Sequence, residues 1–142
     1  SRLNFKGKRI NFVDESYNSN PLSLKTALIN FSNIKSKNNS KHVLLGDMLE
    51  LGKNTLYHHR SITDMINKLK IDKVHIYGKY IKETYKGLKG NKKGLVLTDI
   101  SQIYDLINKT LSNKDYLMVK GSNSTGLFRQ SQLLKLNKSN AL

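Results

Sequence analysis

The sequence predicts an α/β domain of three layers, with a mostly parallel sheet of five to six strands held between helices. Two observations carry that prediction. Four short apolar runs, His42–Leu45, Lys73–Tyr77, Leu95–Thr98 and Tyr116–Val119, are continuous rather than alternating, as in strands covered on both faces. Between them lie segments whose apolar residues repeat at helical spacing. Strands and helices therefore alternate, which is the pattern of βαβ units joined by right-handed crossovers.

The elements follow in order. Leu3–Phe5 reads as an extra antiparallel edge strand, joined by a turn at Gly7 to a fifth parallel strand, Arg9–Val13. Asn20 and Pro21 supply the N-cap and first position of a helix. That helix carries the stripe Leu24, Ala27, Leu28, Phe31 and Ile34. A second stripe is His59, Ile62, Ile66 and Leu69; a third helix around Tyr80–Tyr85 is short and poorly periodic. The fourth stripe is Ile100, Ile103, Tyr104, Ile107 and Leu111, and a last helix runs from about Ser124 to Leu136. Lys35–Ser40 and Lys86–Lys93 read as solvated loops and the last residues as a frayed tail. Residues 1–142 are expected to form one domain, without internal repeats.

The composition excludes several classes. No cysteine is present, so neither a disulfide framework nor a thiolate metal site is possible, and a reducing cytoplasm is the expected compartment. No apolar stretch approaches the roughly 20 residues of a membrane span, and the N-terminus has no signal-peptide pattern. Lacking an initiating Met, the chain reads as a processed product or a piece of something longer. A net charge of +15 raises the question of nucleic acid. The cations argue against it: 21 are lysines and four are arginines (Arg2, Arg9, Arg60, Arg129), spread along the whole chain. Bidentate phosphate and base recognition favours arginine.

Polar residues recur where each strand hands over to a helix. The strands end in Asp14-Glu15, Gly46-Asp47, Gly78-Lys79, Asp99 and Lys120-Gly121-Ser122. In a parallel sheet these turns share one edge, where ligands bind. Acid, acid with glycine, and Lys-Gly-Ser on that edge point to a polar or anionic ligand. The Gly121–Gly126 run lacks the Gly-Lys-Ser/Thr ending of a P-loop, so this domain is not expected to cradle a nucleoside triphosphate that way. His58 and His59 point roughly 100° apart on a helix and make no metal pair. His59 lies on the apolar stripe, where a hydrogen-bonded packing role is the expectation. No metal-ligand set is predicted.

Three segments carry a family resemblance. Asp14-Glu15-Ser16-Tyr17-Asn18-Ser19-Asn20-Pro21 resembles an Asp-Asp-Ser-Tyr-Asn-Ala-Asn-Pro signature. Leu45-Gly46-Asp47-Met48-Leu49-Glu50-Leu51-Gly52 with His59-Arg60, and Val119-Lys120-Gly121-Ser122, resemble two further blocks. Together they resemble the C-terminal domain of the Mur ligases, in the branch that joins D-Ala-D-Ala to UDP-MurNAc-tripeptide for peptidoglycan precursor synthesis. The resemblance implies a Rossmann-like fold and an ATP- and Mg2+-dependent acid–amino acid ligase. A carboxylate is phosphorylated, then attacked by the incoming amine.

The resemblance also divides the labour. An N-terminal domain holds the UDP-sugar and a central domain carries the P-loop and the Mg2+ ligands. The C-terminal domain closes over ATP and presents the dipeptide, and is inactive alone. Arg2, Glu15, Tyr17, Asn18 and Asn20 are implied on the ATP side. Asp47, Glu50, His59, Lys120, Gly121 and Ser122 are implied on the D-Ala-D-Ala side. Glu15 stands where the family usually has Asp, and Asn123 where it often has Arg. Two other readings stay open: a folylpolyglutamate- or cyanophycin-type ligase domain, and a non-catalytic basic module binding a nucleotide or RNA.

Overall fold

The computed structural model describes residues 1–122 and 125–137. Its strands are β1 (Arg2–Phe5), β2 (Lys8–Glu15), β3 (Lys41–Gly46), β4 (Lys73–Tyr77), β5 (Lys93–Leu97) and β6 (Tyr116–Lys120). They form one sheet in the order β1-β2-β6-β3-β4-β5. Only the β1–β2 pair is antiparallel. Its two-residue turn has positive φ at both Lys6 (51°) and Gly7 (79°), the geometry that lets a hairpin twist with its strands.

Two apolar cores lie on the two faces of the sheet. On one, α1 (Pro21–Ser32), α2 (Thr55–Lys68) and the short α3 (Lys82–Lys86) bury Leu24, Leu28, Phe31, Ile62 and Ile66 against Val43, Leu45, Val74, Ile76 and Met118. On the other, a helical stretch 100–110 and α5 (Leu127–Asn137) bury Ile103, Leu106, Ile107, Leu127 and Leu134 against Phe12, Leu44, Leu117 and Val119. β3 is buried at every residue because successive side chains serve opposite cores, which is why its sequence is apolar without alternation.

Several expectations change. Leu95–Thr98 is shifted to Lys93–Leu97 and is not covered on both faces: as the outer strand it leaves Leu95 41% and Val96 43% exposed. The β4–β5 register also slips between Val74 and Ile76, where the His75 ring fills the space a side chain at Gly94 would need. The fourth stripe is helical but irregular. A 3₁₀ turn at Ile100–Gln102, an α turn at Ile103–Asp105 (α4) and a π turn at Leu106–Thr110 follow one another. Its Ile103, Ile107 and Leu111 are buried as expected.

Ile34 lies beyond the end of α1, and the third helix is reduced to Lys82–Lys86. Lys86–Lys93 is not simply a solvated loop, since it buries Leu88 and Lys92. Within the described residues the last helix begins at Leu127; the expected Ser124 start, Asn123 and the frayed tail lie outside them.

The two edges of the sheet differ in what they carry. At the amino ends of the parallel strands, buried lysines meet helix C-termini. Lys41 Nζ donates to Ser32 O of α1 at 2.6 Å, and Lys92 Nζ donates to Ile66 O, Leu69 O and Ile71 O at the end of α2 at 2.6–3.1 Å. These ammonium groups satisfy orphan carbonyls and complement the negative helix ends. At the carboxyl ends, the chain leaves β2 towards α1 on one face and leaves neighbouring β6 towards α5 on the other. Such a reversal opens a crevice, and ligands of open α/β sheets bind there.

Candidate functional site

The loop 14–20 fills one side of that crevice and is held from three directions. Asp14 anchors it to α5: its Oδ2 accepts from Lys135 Nζ at 2.6 Å and from Gln132, while its Oδ1 accepts from the N–H and hydroxyl of Ser16. Burial raises the Asp14 pKa, but the bonds from Lys135 and Ser16 outweigh it and hold the carboxyl below its ordinary range. Asn20 caps α1 in a reciprocal box, its Oδ1 accepting the Ser23 N–H at 2.9 Å while Ser23 Oγ accepts the Asn20 N–H at 3.0 Å. The third hold is Lys120. Buried at the end of β6, its Nζ donates to Asn18 O at 2.6 Å and Glu15 O at 3.4 Å. Burial pushes the Lys120 pKa down, partly offset by the Glu15 charge.

With its backbone fixed, the loop offers Glu15, Tyr17, Asn18 and Asn20 as exposed residues. Tyr17 stands 67% exposed with its ring edge-on to Phe128, centroids 5.3 Å apart. Asn18 Oδ1 accepts the Ser19 N–H at 2.9 Å. Arg2 is also exposed but pairs opposite Asn11, four residues short of Glu15, or about 13 Å along the strand.

The residues expected on the dipeptide side turn out to be largely committed to backbone. Asp47, nearly buried after β3, accepts N–H groups from Lys79, Tyr80 and Ile81 at 2.8–3.1 Å. It thereby organises the whole turn after β4. Gly78 in that turn has φ 142°, and a side chain there would run into the Asp47 carboxylate.

His59 is fully buried. Its Nε2 accepts the Met48 N–H at 3.0 Å, and Nδ1 donates to Thr55 O at 2.6 Å, so the packing role expected from its stripe is what the geometry gives. Ser122 Oγ accepts the Leu49 N–H at 2.9 Å, and its N–H donates to Asp47 O at 3.1 Å. Gly121 packs tightly, a Cβ there meeting Leu127 Cδ1 at 2.8 Å. Glu50 is exposed, in a left-handed conformation at φ 63°. His59 and Ser122 thus prop the loop 46–49, and Asp47 within that loop props the turn after β4, rather than presenting free groups.

What these props shape is a cleft of about 470 Å³ on the ligand edge. Leu49, Val96 and Leu97 give it an apolar surface, Thr98 and Thr125 add hydroxyls, and Lys79 and Lys82 supply cations. Both lysines are exposed. A small amphiphilic anion matches that lining. Sequence reading placed Gly78-Lys79 on this edge but did not single out Lys79, Lys82, Leu49 or Val96 as site residues. Leu49 lies within the 45–52 block, but Lys79, Lys82 and Val96 belong to no motif; strand order brings their turns together, and Asp47 holds the one that carries Lys79. Among the described residues, no three His, Asp or Glu side chains come together as a metal site.

Comparison with known proteins reaches the same family as the motifs. Residues 1–123 match the family model described as Mur ligase, glutamate ligase domain. A UDP-N-acetylmuramoyl-tripeptide–D-alanyl-D-alanine ligase of Treponema pallidum is 29% identical over 89% of this chain and 28% of its own length. The ligase of that name from Buchnera aphidicola subsp. Baizongia pistaciae is 32% identical over 81% of this chain and 24% of its own. The chain therefore spans about a quarter of the length of these relatives.

In structure, MurF from Acinetobacter baumannii superposes with a TM-score of 0.72 at 20% identity, over 95% of this chain and 29% of that one. MurF ligase from Thermotoga maritima, in complex with ADP, gives 0.71 at 20% identity over 100% and 31%. The six-stranded fold, the three motif segments in their order and a family match over residues 1–123 together show that this chain belongs to the Mur ligase family, as its C-terminal domain.

Proposed function

We propose that this chain is the lobe of an ATP-dependent ligase that closes over the nucleotide and presents D-Ala-D-Ala to a UDP-MurNAc-tripeptide carboxylate. The carrying observation is the crevice itself: a loop pinned by Lys120 with exposed polar side chains on one side, and a cleft carrying cations on the other. On the nucleotide side, the free carboxylate of Glu15 suits the ribose diol, Tyr17 offers an exposed ring face, and Asn18 and Asn20 border the same loop. Arg2 reaches the phosphates only if another domain brings them to the β1 edge.

On the amine side, Lys79 and Lys82 receive the dipeptide carboxylate while Leu49, Val96 and Leu97 take its methyl groups. Asp47, His59, Gly121 and Ser122 position that wall, and Glu50 lies at its rim. ATP, when bound, supplies the phosphoryl group that activates the tripeptide carboxylate. Among the described residues no three carboxylate or histidine side chains gather to hold Mg2+; metal and phosphate cradle belong to a central domain. The site is then cytoplasmic.

Amine-dependent phosphate release by the full-length enzyme carrying this domain tests the reading. Turnover with D-Ala-D-Ala and not with L-glutamate or aspartate–arginine substrates is expected. Turnover with L-glutamate instead would place the chain with the folylpolyglutamate-type ligases and overturn the proposal.

A further inference from the structure

Folding gathers lysines that the sequence scatters. At the sheet edge opposite the crevice lies a bowl of about 1530 Å³, bounded by the ends of α1 and α2 and by the loops entering β3, β4, β5 and β6. Eight lysines line it against two aspartates. Two of the lysines, Lys41 and Lys92, are buried and hold helix ends. Lys73 donates to Asn91 O, and Lys93 lies over the Tyr85 ring. The remaining four, Lys35, Lys37, Lys68 and Lys70, are exposed, and none forms an ion pair among the described residues.

The two aspartates offset only part of that charge, and the Asp72 carboxylate acts on the buried Lys41 and Lys92. Asp115 accepts the Ser40 and Ser112 N–H groups at 2.9 and 2.8 Å, and Asp72 accepts the Lys41 N–H at 2.7 Å. The lining holds no arginine and no Phe, Tyr or Trp, but it does include Ile34, Leu69 and the 41% exposed Leu95.

We infer that this edge docks the domain end-on against an anionic phospholipid surface, leaving the ligand crevice turned away from the bilayer. Lysines interleaved with a few aliphatic side chains suit headgroup phosphates. Single-stranded nucleic acid calls instead for stacking rings, and bidentate phosphate recognition for arginine. The inference stands apart from the ligase reading, since it uses none of the crevice residues.

The test is co-sedimentation of the 142-residue chain with vesicles of phosphatidylcholine containing 30% phosphatidylglycerol, at physiological salt. A protein this basic is drawn to any anionic surface, so location has to be separated from net charge. The quadruple variant Lys35→Gln, Lys37→Gln, Lys68→Gln and Lys70→Gln is compared with Lys25→Gln, Lys53→Gln, Lys86→Gln and Lys109→Gln, which removes equal charge from exposed positions outside the bowl. Circular dichroism verifies that both remain folded.

Each lysine at an anionic surface contributes roughly fivefold, so the first variant is expected to lose about six-hundredfold in partitioning and the second less than tenfold. Equal losses in the two variants, equal binding to pure phosphatidylcholine, or tighter binding to poly(U) than to the anionic vesicles would each overturn the inference.

Discussion

Lys120 shows how a single charge can be read two ways. A lysine at a strand end on the ligand edge invites a role as a clamp for the dipeptide carboxylate, but its ammonium is turned into the 14–20 loop, on the carbonyls of Asn18 and Glu15. Lys120→Met is expected to destabilise the domain by about 1–3 kcal/mol, the usual cost of leaving buried acceptors unpaired, as read from urea denaturation. In the full-length ligase it should raise the KM for ATP, because the loop bearing Glu15 loosens. The KM for D-Ala-D-Ala should respond to Lys79→Ala and Lys82→Ala instead. An ATP KM left unmoved by Lys120→Met, with a raised dipeptide KM, would restore the clamp. Asp47 obeys the same logic: Asp47→Ala strands three N–H groups at once and should cost about 3 kcal/mol, collapsing the cleft wall.

At the scale of elements, β3, β4 and β5 are tied at their amino ends by two histidines. His42 Nδ1 and His75 Nε2 lie 2.9 Å apart, His75 Nδ1 accepts the Leu95 N–H at 2.9 Å, and His42 Nε2 faces Asp115 at 3.6 Å. The chain of bonds works with both rings neutral, because His75 has no acceptor left if it takes up a second proton. Burial, with smaller contributions from His42 and Lys73, pushes the His75 pKa down to about 3, and burial lowers that of His42 despite Asp115.

The sign follows from linkage. Between the ordinary histidine value of 6.5 and about 3 the unfolded chain binds a proton that the folded chain excludes, so stability falls as pH falls through that window. Urea denaturation at pH 4.5 should show a loss of about 2–3 kcal/mol relative to pH 7.5 from His75, and His75→Leu should flatten that part of the profile. A pH-independent midpoint would contradict the neutral pair. Gly94→Ala drives a methyl into the His75 ring and should cost about 1–3 kcal/mol while slipping the β5 register.

For the molecule as a whole, the sheet keeps its two cores separate and its two edges different in chemistry. The crevice sits at one edge because β6 returns between β2 and β3 and sends its helix to the opposite face. Purified alone, the domain is expected to release no phosphate from ATP, since phosphoryl transfer needs a phosphate cradle and metal held together. Sustained ATP-dependent release from the pure chain would contradict this. The full-length enzyme carrying Leu28→Ala should unfold about 2–5 kcal/mol more easily, through the cavity left in the α1 core, yet keep its KM values, because Leu28 itself lines neither the 14–20 loop nor the cleft.

The sequence by itself determined the alternation of strands and helices along the chain, a mostly parallel sheet of five to six strands, the helical faces of α1 and α2, the cap at Asn20 and the edge on which the polar turn residues gather. These follow from local rules: apolar runs, 3.6-residue spacing, a capping pair, and the fact that parallel strands put all their carboxyl ends on one side. Tertiary structure alone decided what the polar residues do. Whether Lys120, Asp47, His59 and Ser122 face a ligand or a backbone depends on partners such as Asn18, Ile81, Met48 and Leu49, and the first lies 102 residues away from Lys120 in the chain. It also decided that β5 is an edge strand with Val96 in a cleft, and that lysines 35, 37, 68 and 70 share one surface. Charge and apolarity can be read residue by residue, but convergence is a property of strand order, and this strand order exists only once β6 has entered the middle of the sheet.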